Sequence, residues 1–563
     1  MIGIFLFWLA FSPLQPVQVK PALSHPPEQL QAQSAPSAGI AQAIHDRFDW
    51  LAQQKSPEGG SARAIFYIKL ERIYAARGFQ PVWTTRPMIA ELMSAVEGAA
   101  DDGLDPADYH LTEIRSFYSK PPVTQQQMAC YDLLLTESFF TLATHLRYGK
   151  VDPATLDTHW DLHHERSRSA LDSRLRTALA TGQIAAAMKE LRLQLPAYNQ
   201  LKKGLARYRT IAREGGWPIL PEGPKLQEGA RQSRVTMLRQ RLKVSGDLPV
   251  LTADTSTVYS GEVVDAVKRF QKRNGMKADG VVGSATLRLM NIPVERRIDD
   301  IRLNLERYRW FFSDLEPDCI LVNVADFTLR YLENGRIRWS TRVIVGKPGR
   351  ETPLFKADMQ YVILNPQWVI PPTILAKDAL PALRKSSSYL SHKNLRIIAS
   401  NGTVVDPESV NWSEYSAGNF PYRLQQSAGD QGSLGRVKFM LPNPYIVYLH
   451  DTPNKELFAE SIRNFSSGCV RVQNPVDLAA LVLQDSVSWS KEQILAVIKR
   501  GKTKIVFLPK RIPVYILYLT VTDEGDELHF RDDVYHRNDR LLKALNTPLP
   551  YYRTERCSLL LSP

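Results

Sequence analysis

The sequence predicts a multidomain α+β protein in which helical domains precede a mostly β domain. Its 563 residues exceed the roughly 250–300 at which a single hydrophobic core stops growing, so several domains are expected. Apolar residues recur three and four positions apart as far as about residue 293, and they alternate with polar residues from Asp318 onward. The predicted order is a helical scaffold domain, a small three-helix bundle, and a mostly β domain that carries a lid insertion.

The first segment, residues 1–37, predicts export from the cytoplasm. It opens with the apolar run MIGIFLFWLAFSPL, which is as long as the core of a signal peptide and too short for an ordinary transmembrane helix. A tether rich in Pro, Gln, Ser and Ala follows. The run lacks a basic start and no small-x-small cleavage site follows, so three alternatives stay open: a cleaved signal peptide, a retained membrane anchor and a buried N-terminal helix.

Residues 41–222 have the pattern of a helical scaffold domain. In the segment CYDLLLTESFFTLATHLRYGKVDP, Leu135, Phe139 and Leu142 share one helix face, which is most simply a core face. Gly149 and Pro153 predict the end of this helix. The segment GGWPILPEGP is typical of a connector to the next domain. We predict no chemistry in this domain.

Residues 227–293 predict three short helices packed as a bundle. Val235, Leu238 and Leu242 lie on one face of the first helix. The second helix has the same spacing and stops at Gly275, and the third follows the turn ADGVVG. Three helices in so short a segment share a single small core.

Residues 300–510 predict the β domain. The alternating run CILVNVADFTLRYLENGRIRWSTRVIVG contains an Asn334–Gly335 pair, which is a strong signal of a hairpin turn. Residues 371–436 interrupt the strands with a segment rich in Pro, Ser, Asn and Gly, which we predict to be a substrate-capping insertion. Residues 511–563 are assigned to a C-terminal extension.

Charge and cysteine content narrow the classes of partner. The formal net charge of +13 suits an anionic partner, but Lys and Arg are scattered, so no nucleic-acid partner is predicted. Four cysteines are too few and too dispersed for a disulfide framework, and no Cys/His cluster predicts a metal site. A cysteine retained in an exported protein favours a reactive role.

The chemistry is predicted in the segment YIVYLHDTPNKELFAESIRNFSSGCVRV. A strand ends at His450, and the chain returns through a loop to Cys469 at the start of another strand. A nucleophilic cysteine needs a neighbouring base, usually an imidazole, because a free thiol is scarcely ionised near neutrality. Gly468 allows the backbone amides around Cys469 to face a developing oxyanion. Taken alone, a Cys and a His so far apart more often occupy inert positions.

The context of this pair resembles the signature of the L,D-transpeptidase family with a YkuD-type catalytic domain. That family has a His, a variable loop and then [ST]-H-G-C, an order that LHDTP and FSSGCVRV follow. The resemblance assigns Cys469 as the nucleophile, His450 as the general base, Gly468 to the turn before the nucleophile and Arg471 to the position two after it. Ser467 stands where the family commonly has His, which puts in doubt any role for a second imidazole.

Further segments extend the resemblance to the large, multidomain Gram-negative members of the family, which are YcbB-like. NLERYRW, ETP and YVILNPQWVIPPTI look like those proteins, as does the domain order, over about Arg63 to Leu545. The bundle segment AVKRFQKRNGMKADGVVGSATLRLM is similar to the peptidoglycan-binding domain of many wall enzymes, and a plain spacer bundle is the alternative. The resemblance implies a periplasmic enzyme, either released after export or anchored in the inner membrane.

In the reaction that this resemblance implies, Cys469 attacks the carbonyl between an L- and a D-residue of a tetrapeptide donor stem of peptidoglycan, and D-alanine leaves. An amine of a neighbouring stem's diaminopimelate, the acceptor, resolves the thioester and gives a 3-3 cross-link, with no metal or organic cofactor. Carbapenems are the inhibitors it implies. The residues assigned to the oxyanion site and the substrate cleft are Gly468, Ser467, Arg471, Tyr448 and Trp368.

Several alternatives to these assignments stay open. A structural salt bridge would account for Arg471 equally well, and core packing would account for Trp368 and for Tyr422, a second candidate for the cleft. Water in place of the amine would make an L,D-carboxypeptidase, and a protein lysine would make an enzyme that attaches proteins to the wall. A wall-binding scaffold without catalysis is the alternative of another class, and the retention of both His450 and Cys469 argues against it.

Overall fold

The computed structural model describes residues 37–53, 60–156, 165–249 and 256–549. The predicted export segment lies outside these ranges except for Ser37, and so does the end of the predicted C-terminal extension. No helix within the described ranges combines the length and the apolar character that a membrane span requires.

Helices occupy most of the described chain as far as Phe312, and strands begin at Cys319. In chain order the helices are α1 Ser37–Gln53, α2 Gly60–Ala75, α3 Arg86–Glu97, α4 Leu111–Ser119, α5 Gln125–Tyr148, α6 Glu165–Thr181, α7 Ile184–Leu191, α8 Pro196–Arg213, α9 Arg234–Ser245, α10 Glu262–Arg273, α11 Ser284–Met290, α12 Val294–Phe312, α13 Pro372–Ile374, α14 Leu380–Leu383, α15 Ser388–His392, α16 Pro475–Leu483, α17 Lys491–Lys499 and α18 Asn538–Asn546. The strands are β1 Cys319–Asn323, β2 Thr328–Glu333, β3 Arg336–Ile344, β4 Lys356–Leu364, β5 Trp368–Val369, β6 Leu395–Ile398, β7 Val404–Val405, β8 Arg423–Gln426, β9 Val437–Met440, β10 Leu449–His450, β11 Val470–Val472, β12 Lys504–Leu517, β13 Val521–Glu524 and β14 Glu527–Phe530.

The scaffold domain is built around the long helix α5. Its start is a capping box, in which the amide of Gln127 donates to the hydroxyl of Thr124 and the amide of Thr124 donates to the Gln127 side chain. Leu135, Phe139 and Leu142 are completely buried in the core that α5 shares with its neighbours. The predicted apolar stripe is therefore a core face, as expected.

The three predicted helices of the small bundle are present as α9, α10 and α11. Their apolar faces form a separate core that includes Val235, Leu238 and Leu242. Arg273 of α10 forms a buried bidentate pair with Asp247, and it donates to the hydroxyl of Tyr208 on α8 at 3.3 Å. This contact fixes the bundle against the scaffold domain.

Helix α12 joins the scaffold domain to the β domain. Leu303 and Trp310 belong to the scaffold core, whereas Leu305 belongs to the core of the β domain. The fully buried side chains of Glu306 and Arg309 bond to each other at 2.6 Å between these two cores. One helix therefore anchors both domains.

Eight strands of the β domain close a barrel in the order β1-β12-β4-β9-β10-β11-β3-β2. The pairs β1/β12 and β10/β11 are parallel, and the other neighbours are antiparallel. Asn334 and Gly335 turn between β2 and β3 with φ values of +52° and +72°, the left-handed conformation that a two-residue hairpin requires. The predicted hairpin is confirmed.

Strand β12 crosses the predicted boundary between residues 510 and 511. It pairs with β4 on both sides of a bulge between Phe507 and Ile512, and it pairs with β1 from Val514 to Leu517. The bulge interrupts the alternation of apolar residues, so the sequence pattern stops before the strand does. The barrel therefore includes the first residues of the predicted C-terminal extension.

The capping insertion folds as a sub-domain with a core of its own. Its strands form a sheet in the order β5-β8-β6-β7, and Leu380, Ile397, Trp412 and Leu424 lie in its core. The four strands are only two to four residues long, which hides them from a reading of periodicity. β5 begins at Trp368, slightly before the predicted insertion.

The residues after the barrel return to both large domains. Phe530 of β14 packs in the barrel core, and Leu541 and Leu545 of α18 pack in the scaffold core. The described part of the C-terminal extension is therefore an integral part of the fold.

Candidate active site

A cleft of about 1240 Å³ lies where three parts of the molecule meet. This volume exceeds the roughly 300–1,000 Å³ typical of small-molecule pockets, so the cleft has room for a peptide. The barrel supplies the first wall, the capping insertion the second, and the scaffold domain with the C-terminal residues the third. Cys469 lies in the first wall, Asp378 in the second and Arg540 in the third.

The parallel neighbours β10 and β11 place four predicted residues on one face. His450 lies directly opposite Arg471 in this pair. Since side chains alternate along a strand, Tyr448 and His450 face the same side, and so do Cys469 and Arg471. All four line the cleft. His450 and Cys469 are therefore diagonal neighbours on the barrel wall, and the thiol itself points to the carbonyl of Ile446 at 3.9 Å.

A tight turn ahead of β11 presents the thiol of Cys469. The hydroxyl of Ser466 donates to the carbonyl of Cys469 at 2.5 Å and accepts from the amide of Gly468 at 3.1 Å. The hydroxyl of Thr352 donates to the carbonyl of Gly468 at 2.8 Å. Gly468 has φ +118°, a conformation that side-chain-bearing residues rarely adopt. Two hydroxyl groups and one glycine therefore determine how the turn is held.

The backbone amides around the thiol differ in whether they already donate a hydrogen bond. The amide of Gly468 donates to the hydroxyl of Ser466, and the amide of Val470 donates to the carbonyl of Tyr448 at 3.1 Å. The amide of Cys469 has no acceptor among the residues that the structure describes. It is the amide that remains available to an oxyanion formed beside the sulfur.

His450 is buried and neutral. Its Nδ1 lies 2.5 Å from the carbonyl oxygen of Asp451, which can only accept, so Nδ1 carries the hydrogen. Burial, reinforced by the charge of Arg471, lowers the pKa of His450 to about 3. The other ring nitrogen, Nε2, therefore holds a lone pair at neutral pH and can accept a proton.

The thiol of Cys469 is protonated at rest. Burial raises its pKa, while hydrogen bonds from Tyr448 and the charges of Lys438 and Arg471 act in the opposite direction. The side chain is partly open to the cleft although it is densely surrounded. Because the pKa is raised on balance, a base must remove the proton during the reaction.

Lys438 is a cation near the thiol of Cys469, and the sequence did not predict it as a site residue. It lies opposite His450 on β9, and its Nζ is 3.8 Å from the centre of the Tyr448 ring. Burial lowers the pKa of Lys438, and the neighbouring Cys469 raises it. The only signal in the sequence is a lysine in the middle of the apolar strand RVKFML.

Arg471 faces the cleft without an anionic partner. Its side chain is half-buried, and no carboxylate in the described part of the chain forms an ion pair with it. Its Nε is buried without a hydrogen-bond acceptor. Burial lowers the pKa of Arg471. The structural salt bridge that the sequence left open is absent from the described residues.

Ser467 connects the catalytic turn to the capping insertion. Arg350 donates to the hydroxyl of Ser467 at 3.1 Å and forms two bonds to the carboxylate of Asp378, at 2.5 and 2.6 Å. Asp378 belongs to a π-helical turn of the insertion, Leu375–Ala379. The Arg350–Asp378 pair therefore ties the second wall to the edge of the turn.

The two predicted aromatic residues of the cleft have different positions. Trp368 is half-buried and lines the cleft. Tyr422 packs inside the capping insertion against Phe420 and Tyr415, with ring centres 5.6 and 6.1 Å away. Core packing is thus the correct alternative for Tyr422.

The C-terminal residues support the catalytic turn from the third wall. The hydroxyl of Tyr535 donates to the carbonyl of Gly346 at 2.5 Å and accepts from the amide of Thr352 at 3.2 Å. Thr352 in turn holds Gly468. In the sequence, Thr352 stands only within a segment that resembles the family, and no local pattern links Tyr535 to the turn.

Three family models match the chain. Residues 68–205 match a family model described as "Scaffold domain". Residues 231–290 match a family model described as "Putative peptidoglycan binding domain". Residues 317–507 match the "L,D-transpeptidase catalytic domain" of the YkuD family. The last range contains His450, Cys469 and the capping insertion.

Individual relatives give matches of different extent. The chain is 35% identical over 216 residues, 38% of its own length, to a "Putative L,D-transpeptidase" of Haemophilus influenzae, and the match spans 44% of that protein. It is 45% identical over 65 residues to the "N-acetylmuramoyl-L-alanine amidase CwlL" of Bacillus licheniformis, over 11% of this chain and 18% of that protein.

A solved structure is also similar to this chain. It is the crystal structure of an L,D-transpeptidase from Stackebrandtia nassauensis, at 17% identity, 53% coverage of this chain and 96% of that one, with a TM-score of 0.21. A TM-score this low does not establish a common fold. The identification depends instead on the three family models and on the Haemophilus influenzae relative. Residues 317–507 are therefore an L,D-transpeptidase catalytic domain of the YkuD family, which the chain combines with a scaffold domain and a peptidoglycan-binding domain.

Proposed function

We propose that this protein is an L,D-transpeptidase that makes 3-3 cross-links in peptidoglycan through a thioester at Cys469. The observation that carries the proposal is the diagonal placement of a thiol and a neutral imidazole on one barrel face, inside a cleft large enough for a peptide. The catalytic family model supports the reaction class. The peptidoglycan-binding domain supports the polymer as the substrate.

In the acylation half of the reaction, His450 acts as the neutral tautomer with its hydrogen on Nδ1. Nε2 takes the thiol proton as the sulfur of Cys469 bonds to the carbonyl carbon between the L- and D-residues of a donor stem. The unoccupied amide of Cys469 is placed to donate to the resulting oxyanion. The C–N bond then breaks, D-alanine leaves with the proton from His450, and the thioester remains.

The transfer half returns the enzyme to its resting state. The side-chain amine of diaminopimelate on a second stem attacks the thioester carbon, and His450 accepts a proton from that amine. The C–S bond breaks and the sulfur regains the proton. Water in place of the amine would give an L,D-carboxypeptidase, so the identity of the second nucleophile decides between the two outcomes.

Arg471 is suited to bind a carboxylate of the donor stem. An arginine without an anionic partner beside a nucleophile is an incomplete ion pair, and a guanidinium binds a carboxylate through two parallel hydrogen bonds. Ser467 and Trp368 line the same cleft and complete the donor surface in this proposal.

The capping insertion is suited to cover the donor stem. It supplies the second wall of the cleft, and Arg350 ties it to the catalytic turn. A cover that excludes water favours the amine over hydrolysis. Replacing residues 371–436 by a short linker should leave acylation by a small carbapenem largely intact and should abolish cross-linking of natural stems. Cross-linking at a near wild-type rate in that variant would contradict this part of the proposal.

A peptidoglycan substrate supports a periplasmic location for the enzyme, because peptidoglycan lies outside the inner membrane. The predicted export segment at residues 1–37 supports this location, either as a signal peptide or as an inner-membrane anchor. The domain order is also that of the large YcbB-like members of the family.

Mass spectrometry of reaction products tests the proposed function. The full chain is incubated with purified tetrapeptide muropeptides, beside the Cys469→Ala variant as the control. We expect 3-3 linked dimers and free D-alanine from the wild type, and neither from folded Cys469→Ala. Tripeptides without dimers would establish a carboxypeptidase instead. Products that persist in Cys469→Ala would eliminate the thioester mechanism.

A further inference from the structure

The third wall of the cleft is a fixed surface formed by the C-terminal residues. Tyr535, Arg537 and Arg540 line it, together with Pro153 and Leu156 of the scaffold domain. Helix α18 is held in place because Leu541 is 1% exposed and packs in the scaffold core. A ligand in the cleft therefore meets a prepared surface on this side.

The cleft contains more cations than anions. Among the residues that the structure describes, seven basic side chains line it, whereas two acidic side chains do so, Glu351 and Asp378. Both carboxylates are already paired, Glu351 with Arg537 at 3.1 Å and Asp378 with Arg350. The seven basic residues are Arg307, Arg350, Lys377, Lys393, Arg471, Arg537 and Arg540. The excess positive charge suits a substrate that carries several carboxylates.

Among the described residues of the third wall, Arg540 is the cation that is left for a ligand. Arg537 is paired with Glu351, and Arg307 donates to the hydroxyl of Thr520 at 3.2 Å. Arg540 is exposed and has no ion-pair or hydrogen-bond partner within the described ranges. It can therefore bind an anion without giving up an existing contact.

The second and third walls reach the nucleophile from different elements. The capping insertion is tied to Ser467 through Arg350. The third wall is tied to Gly468 through Tyr535 and Thr352. A cross-linking enzyme must bring two stems to one sulfur atom, and this cleft offers two separate surfaces connected to the turn that carries it.

We propose that the third wall binds the acceptor stem and that Arg540 holds one of its carboxylates. This rests on the proposed function, in which the donor lies under the capping insertion with Arg471. The acceptor then approaches the thioester from the opposite side, with its amine directed at the acyl carbon. Arg540 acts as a positioning residue, since it contacts the acceptor and not the reacting sulfur.

The test uses a stem peptide that ends at diaminopimelate. Such a peptide has no D-alanine to release, so it can react only as an acceptor. Its affinity for the full-length Cys469→Ala protein is measured by calorimetry, with and without a second change at Arg540. We expect Arg540→Ala to weaken binding roughly fivefold, Arg540→Glu to weaken it further, and Arg540→Lys to retain most of it.

Lys543 provides the matched control. It is an exposed cation on the same helix, and it does not line the cleft. Lys543→Ala should leave the affinity unchanged, which separates a contact in the cleft from a general effect of net charge. With Cys469 intact, acylation by a carbapenem should proceed at the wild-type rate in the Arg540 variants, because acylation needs no acceptor.

The outcomes separate this inference from the proposed function. Equal acceptor affinity in Arg540→Ala and its parent overturns the inference, whether or not the enzyme cross-links. An equal fall in carbapenem acylation and acceptor binding also overturns it, because the wall would then serve the donor. If the wild type forms no cross-links but peptide binding depends on Arg540, the proposed function fails and the wall stands as a stem-binding surface.

Discussion

Two buried polar clusters of this protein differ in whether their charges are satisfied. One lies where α12 meets the scaffold domain, and the other is the face of β10 and β11 in the cleft. Both contain an arginine and hydrogen-bonding groups within a mostly apolar environment. Their partners differ, and this difference separates a structural cluster from a functional one.

In the α12 cluster the charge of Arg309 is paired with a carboxylate, although its Nε, like that of Arg471, is buried without an acceptor. The terminal nitrogens of Arg309 donate to Glu306 at 2.6 Å, and to the Tyr198 hydroxyl and the Asp102 carbonyl at 2.8 Å each. Glu306 also accepts from the amide of Val151 at 2.7 Å. Such a network contributes to the arrangement of the domains, since losing any partner leaves a buried charge uncompensated.

On the cleft face the same kinds of group are left incomplete. Arg471 has no carboxylate partner in the described chain, His450 is neutral, and the thiol of Cys469 keeps its proton. Burying groups in these states costs folding free energy, and that cost is only partly offset. His450 donates to the carbonyl of Asp451 and Tyr448 bonds Cys469, whereas Arg471 has no carboxylate within the described chain. The α12 cluster therefore stabilises the fold, whereas the cleft face leaves Arg471 available to the substrate of the proposed function.

Replacing His450 by Gln should separate activity from stability most strongly. Loss of the general base should slow acylation of Cys469 roughly 10²- to 10⁴-fold, because His536, the other imidazole among the described residues of the cleft, belongs to the C-terminal wall and not to the barrel face of Cys469. The rate of carbapenem acylation, followed by mass spectrometry, measures this effect. The melting temperature should change little. Acylation within threefold of wild type would show that His450 is not the base.

Replacing Glu306 by Ala should have the opposite profile. It leaves the buried charge of Arg309 uncompensated, which costs about 3–5 kcal/mol of unfolding free energy. Denaturant unfolding measures the loss. The control is Glu97→Ala on the scaffold surface, where the Arg115–Glu97 pair is exposed and is worth about 1 kcal/mol or less. Equal losses in the two variants would contradict the distinction between the clusters.

The pH dependence of acylation should follow the thiol and not the imidazole. Because the pKa of His450 is lowered to about 3, its base form persists from neutral pH down toward that value, so no step is expected near 6.5. The rate should instead rise with pH as the thiol ionises. An inflection near 6.5 in the wild-type acylation profile would show that His450 titrates as an exposed imidazole does.

Lys438→Met should move this profile to higher pH. The positive charge of Lys438 lowers the pKa of Cys469, so its removal raises that pKa and slows acylation at neutral pH, by about tenfold if the pKa of the thiol rises by about one. Lys377→Met is the control, because Lys377 is an exposed cation of the same cleft outside the barrel wall. An equal displacement of the profile in both variants would mean that the charge of the whole cleft, and not Lys438, tunes the thiol.

Much of the fold could be predicted because its signals are local. The apolar stripe of α5, the three helices of the bundle and the hairpin at Asn334–Gly335 each depend on residues within a few positions of one another. The capping sheet could not be recognised, since its strands are too short for a period to develop. The end of β12 was missed because a bulge interrupts its alternation.

The residues of the candidate site also divide into those with a local signal in the sequence and those without one. Cys469 and His450 could be named from a short segment of sequence, and the pairing of β10 with β11 brings them together. The third wall of the cleft depends on α18 packing against the scaffold core far along the chain, so no pattern near Arg540 signals it. The sequence also could not show that Arg471 lacks a carboxylate partner in the described chain. Any acidic residue could have formed that ion pair, and only the whole fold determines which ones lie near Arg471.

Two adjacent serines offer the smallest and most selective test. Ser467 is exposed and accepts one hydrogen bond from Arg350, which Asp378 holds independently through two others. Ser467→Ala should therefore keep acylation within about tenfold of wild type, or roughly 1.4 kcal/mol of barrier. Ser466 is 2% exposed, and its hydroxyl bonds both the carbonyl of Cys469 and the amide of Gly468.

Ser466→Ala should consequently cost more than Ser467→Ala, since it leaves both of those buried groups unpaired and loosens the turn that aims the thiol. Carbapenem acylation of the two variants, measured side by side at one pH, gives the comparison directly. Melting temperatures control for a general loss of stability. If Ser467→Ala is the slower enzyme, the exposed hydroxyl has a catalytic role that neither its contacts nor its position explains. The His that the L,D-transpeptidase family commonly has at this position would then be the functional counterpart of Ser467.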